Sequence, residues 1–132
     1  MKVFIFLTIL IFFLLSCDNS YMIDDFYGTY VPIGYKNTLD SIELKPQEIY
    51  HRKVYNKTGK KVLDMNGKWV LKSDNEVQFY SFFLNLDRDV SQFPELLKDT
   101  SGGVSTIFQS KDKTIQFCIG YYPDSNCYKR IK

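Results

Sequence analysis

Few residues in this sequence have the type and spacing to do chemistry. His51 is the single histidine, flanked by Tyr50 and Arg52 and sharing one face of an alternating run with Ile49 and Lys53. One histidine cannot build a two-histidine metal site, and a Ser-His-Asp relay would need a serine brought beside it by the fold. His51 therefore reads as a surface or edge residue. Asn85, Asp87 and Asp89 have the oxygen-ligand spacing that opens a calcium loop, which then needs Gly at its sixth position and Glu at its twelfth. Val90 and Leu96 stand there instead, so the segment reads as a solvated loop. The 15 acidic residues otherwise scatter over turns and polar faces, with Asp24-Asp25 as the one adjacent pair. Gly102-Gly103 lacks the Lys-Ser/Thr of a phosphate loop. The spacing supports no metal site, no cofactor site and no catalytic assembly, and a non-enzymatic protein is expected.

Charge bears on nucleic acid. The chain carries 17 Lys and Arg against 15 Asp and Glu over 132 residues. Only Lys2 is charged within residues 1–16, so the remainder is nearly neutral. Nucleic-acid binding needs a clustered basic surface, and base stacking needs exposed aromatics beside a basic groove. Neither is legible, and no nucleic-acid partner is expected. Arg52-Lys53 and the lysines within 57–61 read as polar faces and turns of strands.

The N-terminus has a distinct character. Residues 3–15 are apolar except for Thr8, preceded by Lys2. Such a run spans about 20 Å as a helix, short of the roughly 30 Å hydrocarbon core. It reads as a cleaved export signal rather than a permanent span. Leu14-Leu15-Ser16-Cys17 resembles the lipobox of bacterial lipoproteins. That resemblance implies cleavage before Cys17, a diacylglyceryl thioether on its sulfur and acylation of the new amino group. Each buried methylene adds about 0.8 kcal/mol of membrane affinity, so several chains make a stable anchor. The expected organisation is a signal peptide at 1–16, a lipidated tether at 17–25 and one domain at 26–132. The expected location is the bacterial cell envelope, periplasmic or surface-exposed.

With Cys17 lipidated, Cys118 and Cys127 are the remaining thiols. An even count in an exported domain reads as a disulfide, with a metal pair or two free thiols as alternatives. If residues 121–124 form the loop of the last hairpin, Cys118 faces Cys127 within disulfide range. Cys118 would then point away from the face carrying Ile115, Phe117 and Ile119.

The elements that must position these residues are strands. Leu63, Met65, Gly67, Trp69 and Leu71 alternate with Asp64, Asn66 and Lys68, the period of a half-buried strand. Val77, Phe79, Ser81 and Phe83 repeat the pattern, as do Ile115, Phe117, Ile119 and Tyr121. Turn-forming clusters at 56–59, 73–75, 110–113 and 123–126 separate the runs. The reading is eight strands, near 28–33, 38–45, 48–56, 61–72, 76–85, 103–109, 114–121 and 126–131. Most links are hairpin-short, which implies an antiparallel up-and-down meander that hides its edges by closing into a barrel. A sandwich is the alternative. Residues 86–102 form the one long connection, with a possible helical turn after Pro94 and with Phe93, Leu96 and Leu97 needing cover. The apolar outer side of the fifth strand, at Tyr80, Phe82 and Leu84, offers that cover.

Phe26-Tyr27-Gly28-Thr29-Tyr30 resembles the opening motif of lipocalins, in which an aromatic precedes Gly-x-Trp at the first strand. Tyr30 stands in the tryptophan's place. The resemblance implies that Gly28 and Tyr30 close one end of a small lipocalin-like barrel. It also implies a basic residue of the last strand, Arg130 or Lys129, packed over the aromatic.

An eight-stranded barrel holds either its own side chains or one small ligand. The bulky inner faces favour filling. The expected function is an envelope binding module that recognises a protein through its surface or rim. The alternative is a carrier of a small hydrophobic ligand in the interior.

Overall fold

The computed structural model describes residues 21–34, 39–82, 102–119 and 126–132. Nine antiparallel strands form one sheet that curls into a nearly closed barrel. They are β1 (Gly28–Pro32), β2 (Leu39–Lys45), β3 (Ile49–Tyr55), β4 (Lys61–Leu71), β5 (Glu76–Tyr80), β6 (Gly103–Ile107), β7 (Gln109–Lys111), β8 (Thr114–Cys118) and β9 (Cys127–Arg130). Their order in the sheet is β6-β5-β4-β3-β2-β1-β9-β8-β7. The two edge strands, β6 and β7, are consecutive in the chain. Across the seam, Thr106 Oγ1 donates to the Cys118 carbonyl at 2.7 Å.

The expected all-β meander is therefore what forms, with nine strands in place of eight. The extra one comes from Phe108, which divides the expected run at 103–109. Its backbone N–H donates to the Asn75 carbonyl at 2.8 Å and its carbonyl accepts from Asn75 Nδ2 at 3.1 Å. Those bonds take Phe108 out of the ladder and turn its ring into the core, fully buried.

Local chemistry accounts for the tight turns. Asp112 and Lys113 both have positive φ, 52° and 62°, as a two-residue hairpin between right-twisted strands requires. Between β3 and β4, Asn56 Oδ1 accepts from Thr58 N at 3.0 Å and Lys60 N at 2.9 Å. That is how an Asn side chain stands in for a missing strand partner.

The period-two faces point as the pattern requires, with two exceptions. Trp69, Val77, Phe79, Ile115 and Phe117 are buried, and Met65 and Leu71 pack against them. Phe82 is the first exception: expected outside, it is 5% exposed and belongs to the core. Ser81 adopts φ 53°, which breaks the alternation and turns Phe82 inward while Tyr80 stays exposed. Arg52 is an exception of another kind: it keeps the alternation, which carries it inward from the polar face expected for it. Leu84, Phe83, Tyr121, the helical turn after Pro94 and the cover by Phe93, Leu96 and Leu97 all lie outside the described residues.

The barrel has two distinguishable ends. One holds the start of β1, the end of β9 and the turns β2–β3, β4–β5 and β7–β8. A single 3-10 turn, Ile23–Phe26, lies across it at the place expected for the end of the tether. Phe26 meets Phe108 at 5.2 Å between ring centroids, and Tyr27 meets Trp69 at 6.0 Å. This is the capped end. The opposite end, the rim, holds the strand ends at Pro32, Leu39, Tyr55, Lys61, Tyr80, Gly103, Cys118 and Cys127.

Candidate functional site

The inner faces of β2 and β3 are set by alternation. Ile42 and Leu44 point inward, so Asp40 must as well, and Tyr50 and Val54 carry Arg52 with them. The register pairs Asp40 with Val54 and Ile42 with Arg52, which makes Asp40 and Arg52 diagonal neighbours on one face. From β9, Tyr128 projects to the same place.

These three side chains form a buried polar cluster at the rim half of the interior. Arg52 donates from Nε to Asp40 Oδ1 at 3.1 Å and from Nη2 to Oδ2 at 2.8 Å. Tyr128 donates its hydroxyl to Asp40 Oδ2 at 2.7 Å. The Arg52 guanidinium lies 4.4 Å over the Phe82 ring. Asp40 and Arg52 are fully buried and Tyr128 nearly so. Burial alone disfavours the guanidinium's charge, but the Asp40 carboxylate beside it raises its affinity for the proton above the ordinary arginine value. The cluster holds the Arg52 guanidinium against the Asp40 carboxyl through two hydrogen bonds. Reading Arg52 as part of a polar outer face is thus corrected. The available signal was its parity with Tyr50 and Val54, and that of Asp40 with Ile42 and Leu44.

Tyr50 closes the wall beside the cluster. Its hydroxyl donates to the Tyr80 and Ser81 carbonyls, both at 2.9 Å, and its ring leaves Gly67 opposite no room for a Cβ. Burial pushes the Tyr50 phenol up to about 12, with Arg52 pulling the other way.

At the capped end, Gly28, Tyr30 and Arg130 do come together. Tyr30 faces Arg130 in the β1–β9 pairing and is fully buried. Its hydroxyl donates to the Phe26 carbonyl at 2.8 Å. Burial raises its phenol affinity for the proton, opposed by the nearby Arg130 charge. Arg130 Nη1 donates to the Asp25 and Tyr27 carbonyls, tying the 3-10 turn to the last strand. Lys129 is exposed on the other face. Gly28 has φ 136°, and a Cβ there would fall on the Lys132 carbonyl that accepts from Thr29 N.

His51 lies on the outer face of β3, as expected. Its Nε2 is 2.6 Å from Asp64 Oδ1 and its Nδ1 3.9 Å from Glu43 Oε2. Lys61 also pairs with Asp64, and hydrogen bonds from Lys61 and then His51 hold that carboxyl down to about 2. Among the described residues, no three His, Cys, Asp or Glu could share a metal ion. Cys118 and Cys127 are directly opposed and disulfide-bonded, with α-carbons 3.9 Å apart. A shallow groove of about 160 Å³ runs beside the bridge, lined by Ile33, Gln109 and Gln116 among others. Cys17 and the Asn85, Asp87 and Asp89 loop lie outside the described residues.

Comparison with protein-family models, with curated proteins and with solved structures gives no match.

Proposed function

We propose that this chain is a membrane-anchored envelope lipoprotein whose lipocalin-like barrel is a non-enzymatic binding module, recognising a protein partner through its rim. One observation favours this over the carriage of a ligand. Ring contacts run unbroken across the interior from Tyr30 on β1 to Phe117 on β8 at 5.3 Å, on to Phe79 on β5 at 5.7 Å, and to Tyr50 on β3 at 5.5 Å. Touching side chains at this level occupy the space a hydrophobic ligand would need. The buried Arg52–Asp40 pair adds a charged layer on the rim side, where an apolar ligand would enter.

Three further features support the reading. The Gly28, Tyr30 and Arg130 arrangement is the one the lipocalin resemblance implies for a closed end. The anchor rests on the apolar run at 3–15 and on Leu14-Leu15-Ser16-Cys17. The described rim offers Ile33, Leu39 and Tyr80, exposed by 42%, 56% and 40%, as apolar contacts for a partner.

A photo-crosslinking residue at Leu39 tests the partner. It should capture a discrete envelope protein that the same residue at Lys113, on the capped end, does not. Titration with a fluorescent naphthylamine tests the interior. Saturable one-to-one binding that a fatty acid displaces would replace the protein-binding reading with the carrier reading.

A further inference from the structure

Five of the exposed large apolar side chains among the described residues lie at the capped end, Ile49 at the start of β3 and four others. Met22 and Ile23, exposed by 65% and 36%, belong to the 3-10 turn and its approach. Ile107, exposed by 52%, is the last residue of β6, next to the Phe108 that the turn's Phe26 packs on. Ile131, exposed by 53%, follows β9, and its N–H donates to the Thr29 carbonyl at 2.8 Å. Single exposed apolar residues are ordinary. Here they share one end, and it is the end at which the described chain begins.

We propose that the capped end rests on the bilayer surface, with Met22, Ile23, Ile107 and Ile131 in the lipid interface and the rim turned to the aqueous side. The inference rests on the reading of Cys17 as the lipid-bearing residue. Met22 is five residue steps after Cys17, and an extended chain of that length reaches at most about 18 Å. The anchor therefore holds this end at the membrane, and the rim stands a strand length beyond it. Tethering also keeps the local concentration of lipid high, so modest apolar contacts suffice to hold an orientation.

Charge identifies the contact as apolar. Two lysines near this end pair with acids, Lys45 at 3.2 Å from Glu43 and Lys68 at 3.3 Å from Glu48, and Asp74, Glu76 and Asp112 lie among Lys72, Lys111 and Lys113. Asp24 and Asp25 sit beside the isoleucines. A surface so balanced gains little from anionic headgroups, and zwitterionic lipid should serve as well.

The test uses the full chain, produced in an envelope and reconstituted into phosphatidylcholine vesicles. Single nitroxide labels go on Ile23→Cys, Ile107→Cys, Ile131→Cys and, at the rim, Thr58→Cys. The mass of the Cys17 peptide is read on the same samples, and circular dichroism checks the fold. With Cys17 acylated, labels at 23, 107 and 131 should collide with oxygen in preference to a water-soluble nickel chelate, and the label at 58 should show the reverse. The pattern should survive high salt and added anionic lipid. Acylated Cys17 with all four labels equally open to nickel overturns the orientation and leaves the anchor reading standing. A protected label at 58 means that the barrel lies the other way up. An unmodified Cys17 overturns the anchor reading and this inference together.

Discussion

Replacing Arg52 by Met should destabilise the barrel strongly, and replacing Asp40 by Leu should do the same. Each removes one side of a fully buried ion pair. Breaking one side of a buried ion pair costs about 3–5 kcal/mol, a large share of the about 5–15 kcal/mol that holds a domain of this size. In urea, with a slope of about 2 kcal/mol per molar, a loss of about 4 kcal/mol moves the unfolding midpoint down by about 2 M. The double variant Asp40→Leu/Arg52→Met removes both charges, and buried pairs exchanged for apolar residues are often neutral or better. Its midpoint should lie well above the sum of the single losses, a coupling of several kcal/mol expected for residues in direct contact. Tyr128, which donates to Asp40 Oδ2, limits the recovery and is best replaced by Phe in the same background. Additive single losses, or single variants as stable as the parent, would refute the claim that these two side chains balance each other.

Other outcomes are expected from the same structure. Gly28→Ala should destabilise by more than the about 1 kcal/mol of an ordinary glycine change, because φ 136° and the Lys132 carbonyl both exclude a Cβ; thermal unfolding measures it. Cys118→Ser/Cys127→Ser should keep the fold and lose about 2–3 kcal/mol, as opening a short loop does; denaturant midpoints with and without reductant decide this. The Tyr50 phenol is raised in the fold, so its contribution to stability is complete below the ordinary tyrosine range. That contribution should be lost as pH rises towards about 12, and Tyr50→Phe should blunt the alkaline transition followed by phenolate absorbance. Cys17→Ser should leave the chain unacylated, in an uncleaved or a soluble form, which the mass of the N-terminal peptide and membrane fractionation read.

Much of this barrel is legible in its sequence because one face of nearly every strand is buried. Alternation then fixes which side chains point in, as Trp69, Phe79 and Phe117 show. The opposition of Cys118 and Cys127 followed from the register of a single hairpin. Local departures from alternation were not legible. Ser81 takes a left-handed conformation that a serine does not advertise, and this moves Phe82 from the outer face to the core. Phe108 leaves the ladder because Asn75, 33 residues away in sequence, offers both a donor and an acceptor. The Asp40–Arg52–Tyr128 cluster was missed for a different reason. Charged residues read as outward by default, and only the parity of their apolar neighbours contradicts it.

The placement of β1 between β2 and β9 has a kinetic consequence. Tyr30 pairs with Arg130, so the first strand finds one of its two neighbours a hundred residues later. Pairings of such long range fold slowly, on the order of milliseconds to seconds in small β proteins. Until Cys127–Arg130 has been made, β1 and β8 both lie open, and the meander is a ribbon with two sticky margins rather than a barrel. Oxidation of Cys118 and Cys127 fixes β9 to β8 and leaves a single gap for β1 to fill. The protein should therefore mature in two stages: a slow search that the bridge shortens, then a final snap of first strand against last.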